Sequence, residues 1–181
     1  MNKNLNLIGI SGKKGRGKDT VAAMIQKSRP QYQIRKFSGR LKEIVSILTG
    51  VDVSLFESEE VKSRRVPQFG GRFTLRQLLQ FIGTDLLRTQ LHQDVWVDSL
   101  MMEYSSNQKW LISDVRFPNE AEAIKALGGL VIRVDRDGPH DPHPSETALD
   151  EYDFDCVIDN NGSLKDLTGE VHKWITENLG N

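Results

Sequence analysis

In the stretch GISGKKGRGKDT, residues 9 to 20, Gly12, Gly17 and Lys18 have the spacing G-x-x-x-x-G-K. That spacing suits a loop whose backbone N–H groups turn onto phosphate oxygens. Gly15 and Gly17 give the chain freedom to turn, and Lys18 can reach the β- and γ-phosphates. The next residue departs from the pattern. Asp19 stands where a serine or threonine would offer a hydroxyl to magnesium, and a carboxylate beside phosphates is repelled unless a cation lies between them. A hard divalent cation takes oxygen ligands. Asp19 therefore points to Mg2+, bound directly or through water, with the Thr20 hydroxyl next door; a carboxylate in the first turn of a helix is the alternative.

Further candidates lie downstream. Asp114 ends the apolar run KWLISD, so a buried strand would deliver it to the same Mg2+ or, alternatively, to the cap of a helix starting near Pro118. Arg116 can bridge the phosphates of two substrates and stabilise charge on a transferring group; a surface pair with Glu120 or Glu122 is the alternative. Arg40, Lys42, Arg72, Arg76 and Arg88 either neutralise an anionic acceptor or form solvated helix faces. Phe69, Phe73, Phe81 and Trp96 could supply a stacking surface, with Trp96 preferred, or belong to the core. His140, Asp141 and His143 raise a zinc reading, but HDPH lacks a second ligand pair, so lid contacts or plain surface are preferred. Cys156 reads as a small buried residue.

These side chains need elements to hold them. NLNLIGI is a short apolar strand leading into the glycines, and DTVAAMIQKS places Val21, Ala22, Met24 and Ile25 at helical spacing. YQIRKFS reads as a second strand. SGRLKEIVSILTG predicts a helix with Leu41, Ile44, Val45 and Leu48 on one face and Gly50 at its end. TLRQLLQFIGTDLLRTQL predicts a long helix capped by Thr74, burying Leu75, Leu78, Leu79, Ile82 and Leu86. VWVDSLMMEYSS, PNEAEAIKALGG and SLKDLTGEVHKWITENL read as further helices; KWLISD, LVIRVDR and FDCVID read as strands. Alternating strands and helices imply an α/β fold with a parallel sheet of about five strands, covered on both faces, with ligands at the carboxyl ends of the strands. The phosphate loop, Asp114 with Arg116, and Arg136 all fall at such ends. DGPHDPHPSETALDEYD, aperiodic and rich in turn formers, reads as a mobile lid.

The totals agree. At 181 residues one domain spanning 1–181 is expected. A net charge of -1 supplies no field for nucleic acid or an anionic membrane. One cysteine, no signal peptide and no long apolar run predict a reducing cytosol.

In combination, GKKGRGKDT, FSGRLKE, LLQFIGTDLLR, DVWV, WLISDVRFPNEAEAI and HPSE resemble the phage-type deoxynucleoside monophosphate kinases, in order from about residue 5 to residue 162. That family carries Asp after the loop lysine. The resemblance implies a three-layer P-loop kinase that uses ATP and Mg2+ to phosphorylate deoxynucleoside 5′-monophosphates in a host cytoplasm. With the near-zero net charge, no nucleic-acid or membrane partner is expected, and a homodimer is left open. Lys18, Asp19, Asp114 and Arg116 would be catalytic, and Asp19, Thr20 and Asp114 would lie on the metal. Gly12, Lys13, Gly15, Arg16, Gly17, Lys18, Asp19, Thr20 and Arg136 would bind ATP. Ser38, Arg40, Lys42, Arg88, Trp96 and Glu146 would bind the acceptor, with an acceptor region at about 38–98 and a lid at about 136–150. Animal-type phosphomevalonate kinases share the GKD loop and the WL-SD strand and give one alternative. An ATP-binding regulatory module without turnover gives another.

Overall fold

Five strands order the molecule: β1 (Leu7–Ser11), β2 (Tyr32–Arg35), β3 (Lys109–Val115), β4 (Leu130–Asp135) and β5 (Cys156–Asp159). Every residue of β1 is buried, as is nearly all of β3, because these apolar runs are covered on both faces. All pairings are parallel and the order is β2-β3-β1-β4-β5. β1 is thus central. At its carboxyl end Ser11 is opposite Val115 of β3 and Arg133 of β4, so the segments leaving three strands emerge together. The computed structural model describes residues 5–139 and 141–180; the His140 expectation lies outside them.

The chain divides into two compact units, one of Met1–Lys36 with Glu103–Asn181 and one of Phe37–Met102. In the first, α1 (Lys18–Ser28) and α8 (Leu164–Leu179) share one apolar cluster with the sheet, in which Ile8, Ile10, Val21, Ile25, Leu111 and Ile132 are fully buried. Burying each such side chain stabilises the fold by about 1.5–3 kcal/mol. Helix α6 (Pro118–Ala126) covers the opposite face through Ile124. A Cβ on Gly9 would come within 2.7 Å of Ile124 Cδ1, so the glycine lets this helix close onto β1. A short helix, α7 (Pro144–Thr147), stands within the segment expected to be irregular.

The second unit is helical: α2 (Gly39–Thr49), a 3-10 turn (Val53–Glu57), α3 (Glu59–Ser63), α4 (Leu75–Gln80), a π-helix (Phe81–Leu91) and α5 (Val95–Met101). Thr74 caps α4 as expected, in a reciprocal box with Gln77. The backbone turns left-handed at Phe69, with φ of 61°.

The buried stripes are narrower than the sequence suggests. In α2, Leu41, Val45 and Thr49 are buried, whereas Ile44 and Leu48 are exposed. The long helix after Thr74 changes to π geometry at Phe81. With i→i+5 bonds each turn takes an additional residue, so Leu86 rotates outward and Gly83 inward. Cys156 is only half-buried, because β5 is an edge strand. Among the described residues no helix is long and apolar enough to cross a membrane.

Candidate active site

The phosphate loop leaves β1 and enters α1 with Gly15 at φ 73° and Gly17 at φ 96°, conformations that favour glycine. Arg16 N–H donates to the Lys13 carbonyl at 3.2 Å, closing the turn. Asn160, 8% exposed and just beyond β5, donates Nδ2 to the Arg16 carbonyl at 2.9 Å. Sequence reading missed Asn160; its signal is a polar residue one step past the end of a parallel strand. The Arg16 side chain is buried and donates Nη2 to the Pro139 carbonyl at 3.3 Å. Lys13 pairs with Asp150, while Gly12 lies within 2.8 Å of the Val134 carbonyl if given a Cβ.

Lys18 is 9% exposed at the start of α1. Burial lowers its pKa to about 8, with the positive charge of Arg116 adding to the effect and Asp19, Asp114 and Glu146 opposing it. Arg116, Asp19, Asp114 and Glu146 thus all bear on one lysine.

Asp19 and Thr20 are exposed in the first turn of α1. Asp19 Oδ1 is 2.9 Å from Lys36 Nζ, just after β2, and accepts from Ser113 Oγ at 3.2 Å. Lys36 and Ser113 are further residues that sequence reading missed, since they approach from separate strands. Asp114 is 7% exposed near the end of β3. Among the described residues no three His, Cys, Asp or Glu side chains are grouped to hold a metal. The carboxylates of Asp19 and Asp114 are oxygen donors of the kind Mg2+ takes, one or two at a time, with water and substrate phosphate completing its shell.

Arg116 does not pair with Glu120 or Glu122 through its guanidinium. Glu120, 3% exposed, instead takes the Arg116 backbone N–H at 2.7 Å. The guanidinium pairs with Glu146 of α7 and donates to the Ser145 carbonyl at 3.0 Å. Ser11, Gly12, Lys13, Arg116, Arg133 and Glu146 line a polar pocket at the carboxyl end of the central strands. Arg136 is exposed just past β4. His143 caps α7, accepting from Ser145 N–H at 3.2 Å, and Asp141 accepts from His143 N–H at 3.0 Å.

In the second unit Ser38 precedes α2, Arg40 pairs with Glu43 at 3.0 Å, and Lys42 with Glu57 at 2.7 Å. Arg76 pairs with Glu59, and Arg72 is exposed. Arg88 is 9% exposed and donates to the Gln93 carbonyl at 2.8 Å. Trp96 is 6% exposed and gives its indole N–H to the Gly83 carbonyl at 2.9 Å. Phe73 and Phe81 are stacked with centroids 6.1 Å apart, and Phe81 is exposed.

The sequence model of the deoxynucleotide monophosphate kinase family matches residues 41–171. A protein of Acanthamoeba polyphaga mimivirus, provisionally named a deoxynucleotide monophosphate kinase, is 34% identical over 91% of this chain and 93% of its own length. The deoxynucleotide monophosphate kinase of Enterobacteria phage T4 is 33% identical over 55% of this chain and 44% of its own length. A Thermus thermophilus protein of solved structure shares the fold, with a TM-score of 0.51 and 20% identity over 97% of this chain and 98% of that one.

Proposed function

The chain belongs to the deoxynucleotide monophosphate kinase family, and from that membership we propose that it transfers the γ-phosphoryl group of ATP to a deoxynucleoside 5′-monophosphate with Mg2+ present. The observation that carries this reading is the convergence of Lys18, Asp114 and Arg116 with the glycine loop at the carboxyl end of the central strands.

The acceptor oxygen is already anionic, so no strong general base is required. Catalysis is positioning and charge stabilisation. The amides of Gly15 to Lys18 and the amino end of α1 hold the donor phosphates, with Gly12, Lys13, Arg16 and Thr20 completing that loop. Lys18 neutralises the transferring group as the bridging P–O bond breaks and the acceptor P–O bond forms. Arg116 stabilises charge on the same equatorial oxygens. Asp19 and Asp114, with Thr20 beside them, would hold Mg2+, which supplies charge neutralisation between donor phosphates when bound. Arg136 lies on the donor side of a lid at 136–150.

Ser38, Arg40, Lys42 and Arg88 take the acceptor, within a region of about 38–98. Trp96 supports the acceptor helix from the core, leaving the exposed edge of the Phe73–Phe81 stack as the aromatic surface for a base. Such a surface favours a nucleotide over an isoprenoid phosphate. The exposed Ile47 and Leu48 of α2 supply the face for a homodimer, and the host cytoplasm, where nucleotides are free, is the location.

The experiment is ADP formation from ATP and Mg2+ with each deoxynucleoside monophosphate, each ribonucleoside monophosphate and phosphomevalonate. Turnover with at least one deoxynucleoside monophosphate is expected. Turnover only with phosphomevalonate, or none with any acceptor, would overturn the reading.

A further inference from the structure

Glu146 holds an unusual position for an acid beside a phosphate loop. Its side chain is 7% exposed, and a carboxylate so buried needs partners for both oxygens. Oε2 accepts the Lys14 backbone N–H at 2.7 Å, and Oε1 accepts from Arg116 Nη1. The same Nη1 donates to the Ser145 carbonyl at 3.0 Å. One carboxylate therefore ties the loop to the arginine head group.

The segment carrying Glu146 is itself anchored. His143 caps α7, Leu149 is 3% exposed, and Asp150 pairs with Lys13 at 2.9 Å and Arg133 at 3.6 Å. At the other end of the same arginine, Glu120 holds the Arg116 backbone N–H at 2.7 Å. Arg116 is thus fixed by one carboxylate at its main chain and another at its guanidinium. A guanidinium is a rigid planar fork with five N–H donors, so holding the Nη1 edge sets the direction of the whole plane.

We infer that Glu146 is a positioning residue for phosphoryl transfer, which orients Arg116 relative to the phosphate loop by binding the arginine head group and the Lys14 amide on one carboxylate. The inference rests on the role proposed above for Arg116. Direct contact between Glu146 and the acceptor phosphate would be repulsive, whereas its two observed partners are both donors. A free arginine side chain samples many rotamers, and a displacement of about 1 Å at a reacting centre can lower a rate by about a hundredfold.

The test is a double-mutant cycle, with kcat and KM for ATP and for the best deoxynucleoside monophosphate measured in wild type, Glu146→Ala, Glu146→Gln, Arg116→Ala and the Glu146→Ala/Arg116→Ala pair. Glu146→Ala is expected to lower kcat by about 10–100-fold and to leave the KM for ATP within about twofold. Glu146→Gln, which keeps acceptor geometry and nearly the same volume, recovers part of that loss and carries the test if the alanine variant does not fold. In the Arg116→Ala background Glu146→Ala costs nothing further.

Losses that multiply in the pair would overturn the inference while leaving Arg116 its role. So would a Glu146→Ala enzyme that binds ATP more tightly at undiminished kcat, the behaviour of an acid that merely competes with phosphate. An unchanged rate in Arg116→Ala would remove the role of Arg116 and the inference with it. Absence of wild-type turnover with any deoxynucleoside monophosphate would instead overturn the functional reading itself.

Discussion

Lys36 Nζ lies 2.9 Å from Asp19 Oδ1, so the acid that follows the phosphate-loop lysine is held by a cation from the segment after β2. This pair, with the Ser113 hydroxyl at 3.2 Å, lets a carboxylate sit at the start of α1 without facing phosphate uncompensated. Asp19 is more than half exposed, so the pair leaves it open to solvent and to ions.

Asp19→Asn removes the charge and keeps the size. The Mg2+ concentration giving half-maximal rate is expected to rise several-fold, with kcat at saturating Mg2+ affected less. A magnesium titration that superimposes on wild type would assign Asp19 to its pair with Lys36 and to the helix terminus alone.

Lys18 sets a pH dependence for nucleotide binding. In the free protein its pKa is lowered to about 8, chiefly by burial. Bound phosphates favour the charged form and raise that value, so binding takes up a proton above pH 8. Affinity for ATP is therefore fully present below pH 8 and falls as pH rises through and beyond it, by up to about tenfold per pH unit. Calorimetry in buffers of different ionisation enthalpy reads the proton uptake directly. An affinity flat between pH 7 and 9.5 would contradict it.

Asn160 ties the loop to the sheet. Asn160→Ala leaves the Arg16 carbonyl without this partner and is expected to cost about 1–2 kcal/mol, lowering Tm by about 2–8 °C. Gly17→Ala acts at the same contact from the other side, since its Cβ would lie 2.4 Å from Asn160 Nδ2 at a φ of 96°. ATP affinity should fall at least about tenfold in that variant, because the amide directions that hold phosphate are altered. Equilibrium binding and thermal melts check both; wild-type affinity in Gly17→Ala would contradict the loop geometry.

The π-helix predicts a coupling in the second unit. A Cβ on Gly83 would come within 2.6 Å of Leu41 Cδ2. Gly83→Ala should destabilise by about 1–3 kcal/mol through overpacking. Combined with Leu41→Ala, the loss should be smaller than the sum of the two single losses. Strict additivity in denaturant melts would mean that Gly83 does not face Leu41.

The strand, glycine loop and first helix were legible because their signals are local: an apolar run, a fixed glycine spacing and a helical stripe. Thr74 as a cap and Pro118 at a helix start were legible for the same reason. Residues that meet only through the sheet were not. Lys36, Ser113 and Asn160 reach the loop from three different strand ends, and nothing near each one in sequence announces the partner. Arg116 shows the same limit, since the acids four and six residues on, Glu120 and Glu122, are outcompeted for its guanidinium by Glu146 on α7. The outward turn of Leu86 follows from i→i+5 bonding, which a 3.6-residue stripe cannot display.

The most direct measurement follows the label from γ-32P-ATP through a single turnover with Mg2+ and each deoxynucleoside monophosphate. Label is expected in a deoxynucleoside diphosphate at a rate that falls at least about a hundredfold in Lys18→Ala. Label released only as inorganic phosphate, or transferred equally fast by Lys18→Ala, would contradict phosphoryl transfer at this loop.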